Sequence, residues 1–292
     1  MVAELPPDVI GADGGPVGPE GPRSAAVLGH PVDHSLSPVL HGAAYRALGL
    51  AGWTYERIDC DEAMLPAVVD DSPGHRIGYS VTMPGKFAAL EHASVVSERA
   101  RIVGSANTLV RRNGGWFADC TDVDGVTGAL AAFGDLPASP SAVVLGVGGT
   151  ARPVLAGLAD MGATQVVLAS RRDNSGPAAD CGRELGLEVT TVLLGDASLP
   201  AAIADADVLV NTVPEPGIRE LVDLVSRSHR LFDVLYDPWP TAAGAVAAAA
   251  GIPVVGGDVM LLNQAFGQVE LFTGLPAPRD EMAAALAEAL GR

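Results

Sequence analysis

Lys86 is the only lysine among 292 residues; the other seventeen basic side chains are arginines. Arginine keeps its proton in proteins, whereas lysine, with an ordinary pKa of ~10.4, can be tuned by its neighbours to give and take a proton near neutrality. A chain that otherwise uses guanidinium for every positive charge marks Lys86 as its first candidate for acid/base chemistry. The plain alternative is an arginine-biased composition with one surface lysine left over. Lys86 closes the stretch Ser80-Val81-Thr82-Met83-Pro84-Gly85-Lys86, just past the end of an apolar run and beside a Pro/Gly turn. Two clusters of small polar residues follow, Gly104-Ser105-Ala106-Asn107-Thr108 and Ala118-Asp119-Cys120-Thr121-Asp122.

A second kind of chemistry is carried by Gly146-Val147-Gly148-Gly149-Thr150-Ala151, which fits G-x-G-x-x-[G/A] directly after a strand pattern and at the start of a helical one. Small residues there let the backbone approach a pyrophosphate, whose charge meets the amide groups and positive end of the helix. About twenty residues on, where an NAD-selective site places an acid for the ribose 2′-hydroxyl, the chain reads Ala169-Ser170-Arg171-Arg172. A hydroxyl and two guanidiniums suit a 2′-phosphate, so the expected cofactor is NADP, with solvent-facing arginines as the alternative. A third cluster, Gly29 to Pro38, sets Ser35 and Ser37 at the start of a helix immediately after a strand, where open α/β sheets bind ligands. His30, His34 and His41 invite a metal reading, but Pro31 and Pro38 interrupt the helix that would present them together, and none is expected.

These segments need elements to hold them. Short apolar runs alternate with helical patterns: strands at 25–29, 54–58 and 77–82, helices at 38–48 and 62–69, with Ser37 as N-cap, Pro38 at the first helical position and Gly49 past the end. A second alternating block has strands at 141–146, 165–169, 188–193, 208–211 and 231–235 and a helix at 151–161, and an amphipathic helix at 122–133 connects the two. The alternation predicts α/β architecture, parallel sheets covered by helices. Near the C-terminus Met260, Gln264 and Gln268 recur at i, i+4, i+8 on one helical stripe. Amides on an apolar stripe suit a ligand face, the alternative being a solvated helix edge.

The length fits about two domains. The formal net charge of −17 excludes nucleic acid as a general partner, since phosphate binding is driven by clustered Lys and Arg. Apolar stretches are broken well before a membrane span is reached. Cys60, Cys120 and Cys181 are odd in number and scattered, as in a reduced, cytoplasmic protein. Residues 1–24, rich in Pro, Gly and acids, read as a flexible leader.

Taken together and in order, H-S-x-S-P, V-T-x-P-x-K, G-x-A-N-T, T-D-x-x-G, G-x-G-G-x-x-R, the Asp233 to Pro238 turn and Met260-Leu261-Leu262-Asn263-Gln264 make the chain resemble the shikimate dehydrogenase family from Ala25 onward. The resemblance implies an N-terminal α/β substrate domain, discontinuous at 25–121 and 258–292, and a Rossmann-like doubly wound dinucleotide-binding domain at 122–257, with the active site in the cleft between them. It implies NADP-dependent reduction of 3-dehydroshikimate, with Lys86 and Asp122 as catalytic pair and Ser35, Ser37, Thr82, Asn107, Tyr236 and Gln264 on the substrate. Gly146, Gly148, Gly149, Thr150, Ala151, Ser170, Arg171, Arg172, Asn211, Thr212 and Gly257 would hold the cofactor. The partner is a small molecule, and the assembly a monomer or homodimer. Three departures stand out: Ser80 and Cys120 where the family usually has Asn, and Val213-Pro214-Glu215-Pro216 in place of its Gly-Met loop. They leave room for a relative using quinate or NAD, or for a non-catalytic regulator on the same scaffold.

Overall fold

The computed structural model describes residues 21–292, so the expected leader lies outside the described residues up to position 20. The chain divides into two compact units, one ending at Thr121 and completed by Gln264–Arg292, the other spanning Asp122–Asn263.

The first unit runs β1 (Ser24–Gly29), α1 (Ser37–Ala47), β2 (Thr54–Asp59), α2 (Leu65–Asp70), β3 (Arg76–Val81), α3 (Lys86–His92), β4 (Val95–Val96), α4 (Glu98–Val103), β5 (Thr108–Arg112) and β6 (Gly115–Asp119). Its sheet has the order β2-β1-β3-β5-β6-β4. The first three strands are parallel, as the alternating pattern predicts, but β5 joins β3 antiparallel and forms a hairpin with β6. The hairpin turns on Asn113-Gly114, both at positive φ, which gives a two-residue turn the twist the strands require. Tyr79, Val81, Leu109 and Ala118 face α2 and α3, while Ala25, Val110 and Phe272 form the core on the opposite face.

The second unit runs α5 (Asp122–Ala131), β7 (Ala142–Leu145), α6 (Ala151–Asp160), β8 (Gln165–Ser170), α7 (Gly176–Glu184), β9 (Glu188–Leu193), α8 (Leu199–Asp205), β10 (Val208–Asn211), α9 (Glu215–Ile218), α10 (Val222–Val225), β11 (Leu231–Asp233), α11 (Ala242–Ala249) and β12 (Val254–Gly256). Helix α12 (Gly257–Thr273) begins in this unit and ends in the first, where α13 (Arg279–Ala289) packs on α1. All six strands are parallel in the order β9-β8-β7-β10-β11-β12, two half-sheets wound outward from β7 and β10. This is the doubly wound arrangement in which a ligand crevice opens where the strand order reverses. Each residue of β7 is buried because helices cover both faces, so the strand reads as a continuous apolar run.

Helices α5 and α6 approach so closely that a Cβ on Gly157 would lie 2.4 Å from Val126 Cγ1. Gly157→Ala should therefore destabilise the protein by about 1–3 kcal/mol through overpacking, read as a lower urea midpoint with an unchanged slope.

Candidate active site

Strands β1 and β3 lie side by side and parallel, so the Gly29–Pro38 loop and the Thr82–Lys86 turn leave the same edge of the sheet. They are in contact: the Thr82 N–H donates to Leu28 O at 2.8 Å, and a Cβ on Gly29 would collide with Thr82 Cγ2 at 2.3 Å. Glycine at position 29 is therefore a condition for Thr82 to stand there. Lys86 is the first residue of α3, and its carbonyl accepts from Ala106 N at 3.0 Å, which joins the lysine turn to the Asn107 segment.

Asn107 is 2% exposed and ties three elements together. Its Oδ1 accepts from Thr121 N at 2.8 Å and from Thr108 Oγ1 at 2.9 Å, while Nδ2 donates to Thr121 Oγ1 at 3.0 Å and to Gln264 Oε1 at 3.2 Å. Its main-chain carbonyl accepts from Val81 N at 2.7 Å. Ser35, Ser37, Thr82, Lys86, Asn107 and Gln264 thus all belong to this unit, with Ser35 donating to Ser37 at 3.2 Å.

Ser37 is not the N-cap of α1. Leu36 occupies that position without a side-chain bond, and Ser37 lies inside the first turn, its N–H donating to Ser35 Oγ at 3.3 Å. With Pro38 next to it the first turn has one fewer amide to satisfy, so the serine hydroxyl is available for other partners. Nor is the α12 stripe solvated, for Met260, Gln264 and Gln268 are all buried. Gln268 makes its four bonds within the first unit: Oε1 accepts from Ser80 Oγ at 2.8 Å and His41 Nε2 at 3.3 Å, and Nε2 donates to Asn107 O at 3.2 Å and Thr108 Oγ1 at 3.1 Å. Ser80, the first of the three departures, is 4% exposed and also accepts from the Tyr55 hydroxyl at 2.6 Å. The sequence offered no cue to Tyr55, whose hydroxyl meets Ser80 across β1 from a separate strand.

His41 sits under Gln268, stacked on Tyr55 at 4.1 Å and bordered by Tyr45 and Phe272. His30 pairs instead with Asp59 at 2.7 Å on the surface. Complete burial holds the His41 imidazole down at about 3, the bond to Gln268 opposing the shift.

The Cys120 segment is held from behind. Asp119 accepts from Arg99 Nε and Nη2 at 2.7 and 2.6 Å, from Ser97 Oγ at 2.6 Å and from Cys120 N at 2.8 Å. Burial pushes this carboxyl up, but the arginine and the remaining donors outweigh it and hold it below the usual range. Asp122 follows two peptides after Cys120 as the first, buried residue of α5, which opens the second unit.

In that unit Gly146 follows β7 at φ +96, and a Cβ there would meet Thr212 Oγ1 at 2.4 Å, so both backbone and neighbour require glycine. Thr212 Oγ1 donates to Leu145 O at 2.8 Å, which holds the loops after β7 and β10 together at the reversal of strand order. Gly148 and Gly149 differ: both are exposed and a Cβ on either would meet nothing within 4 Å. The unit's own packing does not demand glycine there, whereas a pyrophosphate approaching the start of the ten-residue α6 would. Thr150 caps that helix by position, and Ala151 is fully buried beneath it. After β8, Ser170 donates to Arg172 O at 2.6 Å and shapes a turn from which Arg171 and Arg172 face outward. These residues fit a 2′-phosphorylated dinucleotide.

The other cofactor candidates are engaged inside the unit. Asn211, fully buried, donates to Asp233 Oδ1 at 2.9 Å and to Val213 O at 3.3 Å. A Cβ on Gly257 would lie 2.1 Å from Val234 O, so its glycine answers to close backbone packing beside the loop that carries Tyr236. Burial, and then Asp237, raise the Tyr236 phenol. In the third departure, Glu215 accepts from Ala242 N at 2.7 Å and from Arg219 Nε at 2.8 Å, a clamp between α9 and α11.

Comparison with known proteins agrees with this geometry. A family model described as the shikimate dehydrogenase substrate binding domain matches residues 27–109, and one described as the shikimate 5′-dehydrogenase C-terminal domain matches residues 259–287. A shikimate dehydrogenase (NADP(+)) of Microcystis aeruginosa is 31% identical over 89% of this chain and 94% of its own. The chain belongs to the shikimate dehydrogenase family. Its Methylobacterium radiotolerans relative of the same description is 36% identical over 87% of this chain and 92% of its own. The solved shikimate dehydrogenase of Mycobacterium tuberculosis is 48% identical, with a TM-score of 0.87, covering 91% of this chain and all of its own. That of Thermus thermophilus, in complex with NADP(H) and shikimate, is 32% identical with a TM-score of 0.78, covering 91% and 99%. Both members of the family bear out the two-domain α/β architecture, substrate domain first and Rossmann-like domain second. Among the described residues, no helix is long and apolar enough to cross a membrane.

The buried His41 makes a prediction for this site. Its folded pKa lies below the unfolded value of about 6.5, so the ring must shed its proton to fold: its contribution is complete above pH 6.5 and is lost as pH falls toward 3. Between pH 7 and pH 5 the wild type should lose about 2 kcal/mol more stability than His41→Phe, measured by urea unfolding at the two pH values.

Proposed function

We propose that this chain is an NADP-dependent shikimate dehydrogenase that interconverts 3-dehydroshikimate and shikimate. The observation that carries the reading is the convergence, at one edge of the first sheet, of Ser35, Ser37, Thr82, Lys86, Asn107 and Gln264, each on a segment that the family pattern reserves for substrate or catalysis. The relatives named for this reaction with NADP support it, as does the solved complex holding both ligands. Reaction and product belong to aromatic biosynthesis toward chorismate, in the cytoplasm, by a monomer or homodimer.

NADP, when bound, supplies or accepts the hydride; Gly148, Gly149 and the start of α6 would hold its pyrophosphate, and Arg171 and Arg172 its 2′-phosphate. The chain's own part is recognition and the proton. Ser35, Ser37, Thr82, Asn107, Tyr236 and Gln264 supply neutral donors and acceptors suited to a polyhydroxylated carboxylate. As the ketone oxygen becomes alkoxide, a cationic Lys86 stabilises the growing charge and gives its proton, with Asp122 the second member of the proton-handling pair. A binding protein would need neither member of that pair, which favours catalysis over a regulator.

Two variants test the reading. Lys86→Arg keeps the charge but not the exchangeable proton; kcat for shikimate oxidation should fall by at least about 100-fold while calorimetry still detects shikimate binding. Intact turnover would overturn the proton role. Arg171→Asp combined with Arg172→Ala should raise the KM for NADP by about 10- to 100-fold and leave kcat/KM with NAD unchanged or higher. Equal efficiencies before and after the change would remove the arginines from the cofactor site.

A further inference from the structure

The hydrogens around Gln268 can be assigned one after another. The Asn107 main-chain carbonyl can only accept, so the group 3.2 Å from it is the Gln268 Nε2. Its Oε1 therefore faces Ser80 and His41, and both must donate to it. His41 is thereby the neutral Nε2–H form, in keeping with a buried Nδ1 that finds no partner. With its hydrogen committed to Gln268, Ser80 Oγ must accept from Tyr55, and the phenol hydrogen is committed in turn. One directed relay, Tyr55 to Ser80 to Gln268 to Asn107, runs through buried ground to a segment assigned to substrate.

We infer that Gln268, with Ser80 and Tyr55, is a positioning unit for shikimate: anchored on the Asn107 carbonyl, it fixes the backbone that carries Asn107. The inference rests on the shikimate reading above and deepens it. It also gives Ser80 a role of its own, since a serine here lets the longer amide reach in from α12. None of the three residues touches the reacting atoms in this account; they act through Asn107. Removal of a relay member therefore loosens recognition of one ligand without touching the proton transfer or the cofactor.

The test is a kinetic series on the full chain. Gln268→Met keeps the volume and removes all four bonds, Ser80→Ala removes one hydroxyl, and Ser80→Thr restores it. Gln268→Met and Ser80→Ala should raise the KM for shikimate about 10-fold, with kcat within about 3-fold and the KM for NADP unchanged, and Ser80→Thr should return to within about 3-fold of wild type. A merely structural strut predicts otherwise: a lower melting temperature and a smaller active fraction, hence lower kcat, with the shikimate KM intact. That result would overturn the inference. Should Gln268→Met fail to fold, Ser80→Ala decides alone, by the same split of KM from kcat. Wild-type turnover of shikimate in the same series separates the two levels of the argument. Its absence overturns the proposed substrate and this inference with it, whereas wild-type turnover with unchanged KM in the variants overturns the inference alone.

Discussion

A carboxamide buried in protein needs all of its hydrogen-bonding capacity matched, or it costs more than the packing around it returns. In the first unit two such groups, Asn107 and Gln268, meet that requirement largely through each other's segments, and the surrounding fold is built to bring those segments together. The antiparallel hairpin β5–β6 delivers Asn107 and Thr121 from opposite strand ends. Helix α12, returning after the whole second unit, delivers Gln264 and Gln268 one turn apart. Distant parts of the sequence are thereby locked into one register, and the serines and the lysine turn are held at the same sheet edge as a consequence.

The second unit relies on a different constraint, the space around backbone. Its six parallel strands reverse order between β7 and β10, and Gly146 is the only kind of residue that can turn there against Thr212. Gly148 and Gly149 are open instead of crowded. Within this one short motif Gly146 answers to the fold, whereas nothing in the packing calls for glycine at Gly148 or Gly149. The same distinction assigns Gly257 to packing against Val234, and the Asn211 amide to Asp233. Burial raises the Asp233 carboxyl, with Thr241 and Asn211 opposing the shift, so that aspartate reads as an anchor of the loop toward Tyr236.

Much of this was legible in the residues. The doubly wound sheet follows from its alternating pattern because five of its six strands, all but β12, read as apolar runs on a βα repeat, and the glycine turn sits between strand and helix as its spacing predicts. The mixed part of the first sheet was not, since β5 and β6 are short and their ends coincide with polar motifs that read as loops. Ser37 looked like a helix cap because a serine before Pro usually is one, yet Leu36 takes the position and the hydroxyl accepts from Ser35. Tyr55 carries no local signal at all. Its importance comes from Ser80 and Gln268, residues 25 and 213 positions away, and pairings over such separations are invisible to periodicity.

The central claim, that the chain oxidises shikimate with NADP, is tested most directly by following nicotinamide reduction by the purified wild-type protein. Shikimate and quinate would be supplied in parallel, each with NADP and with NAD. The account predicts turnover with shikimate and NADP well above every other pairing. Binding of both ligands without turnover in any pairing would contradict it and make the chain a non-catalytic member of its family.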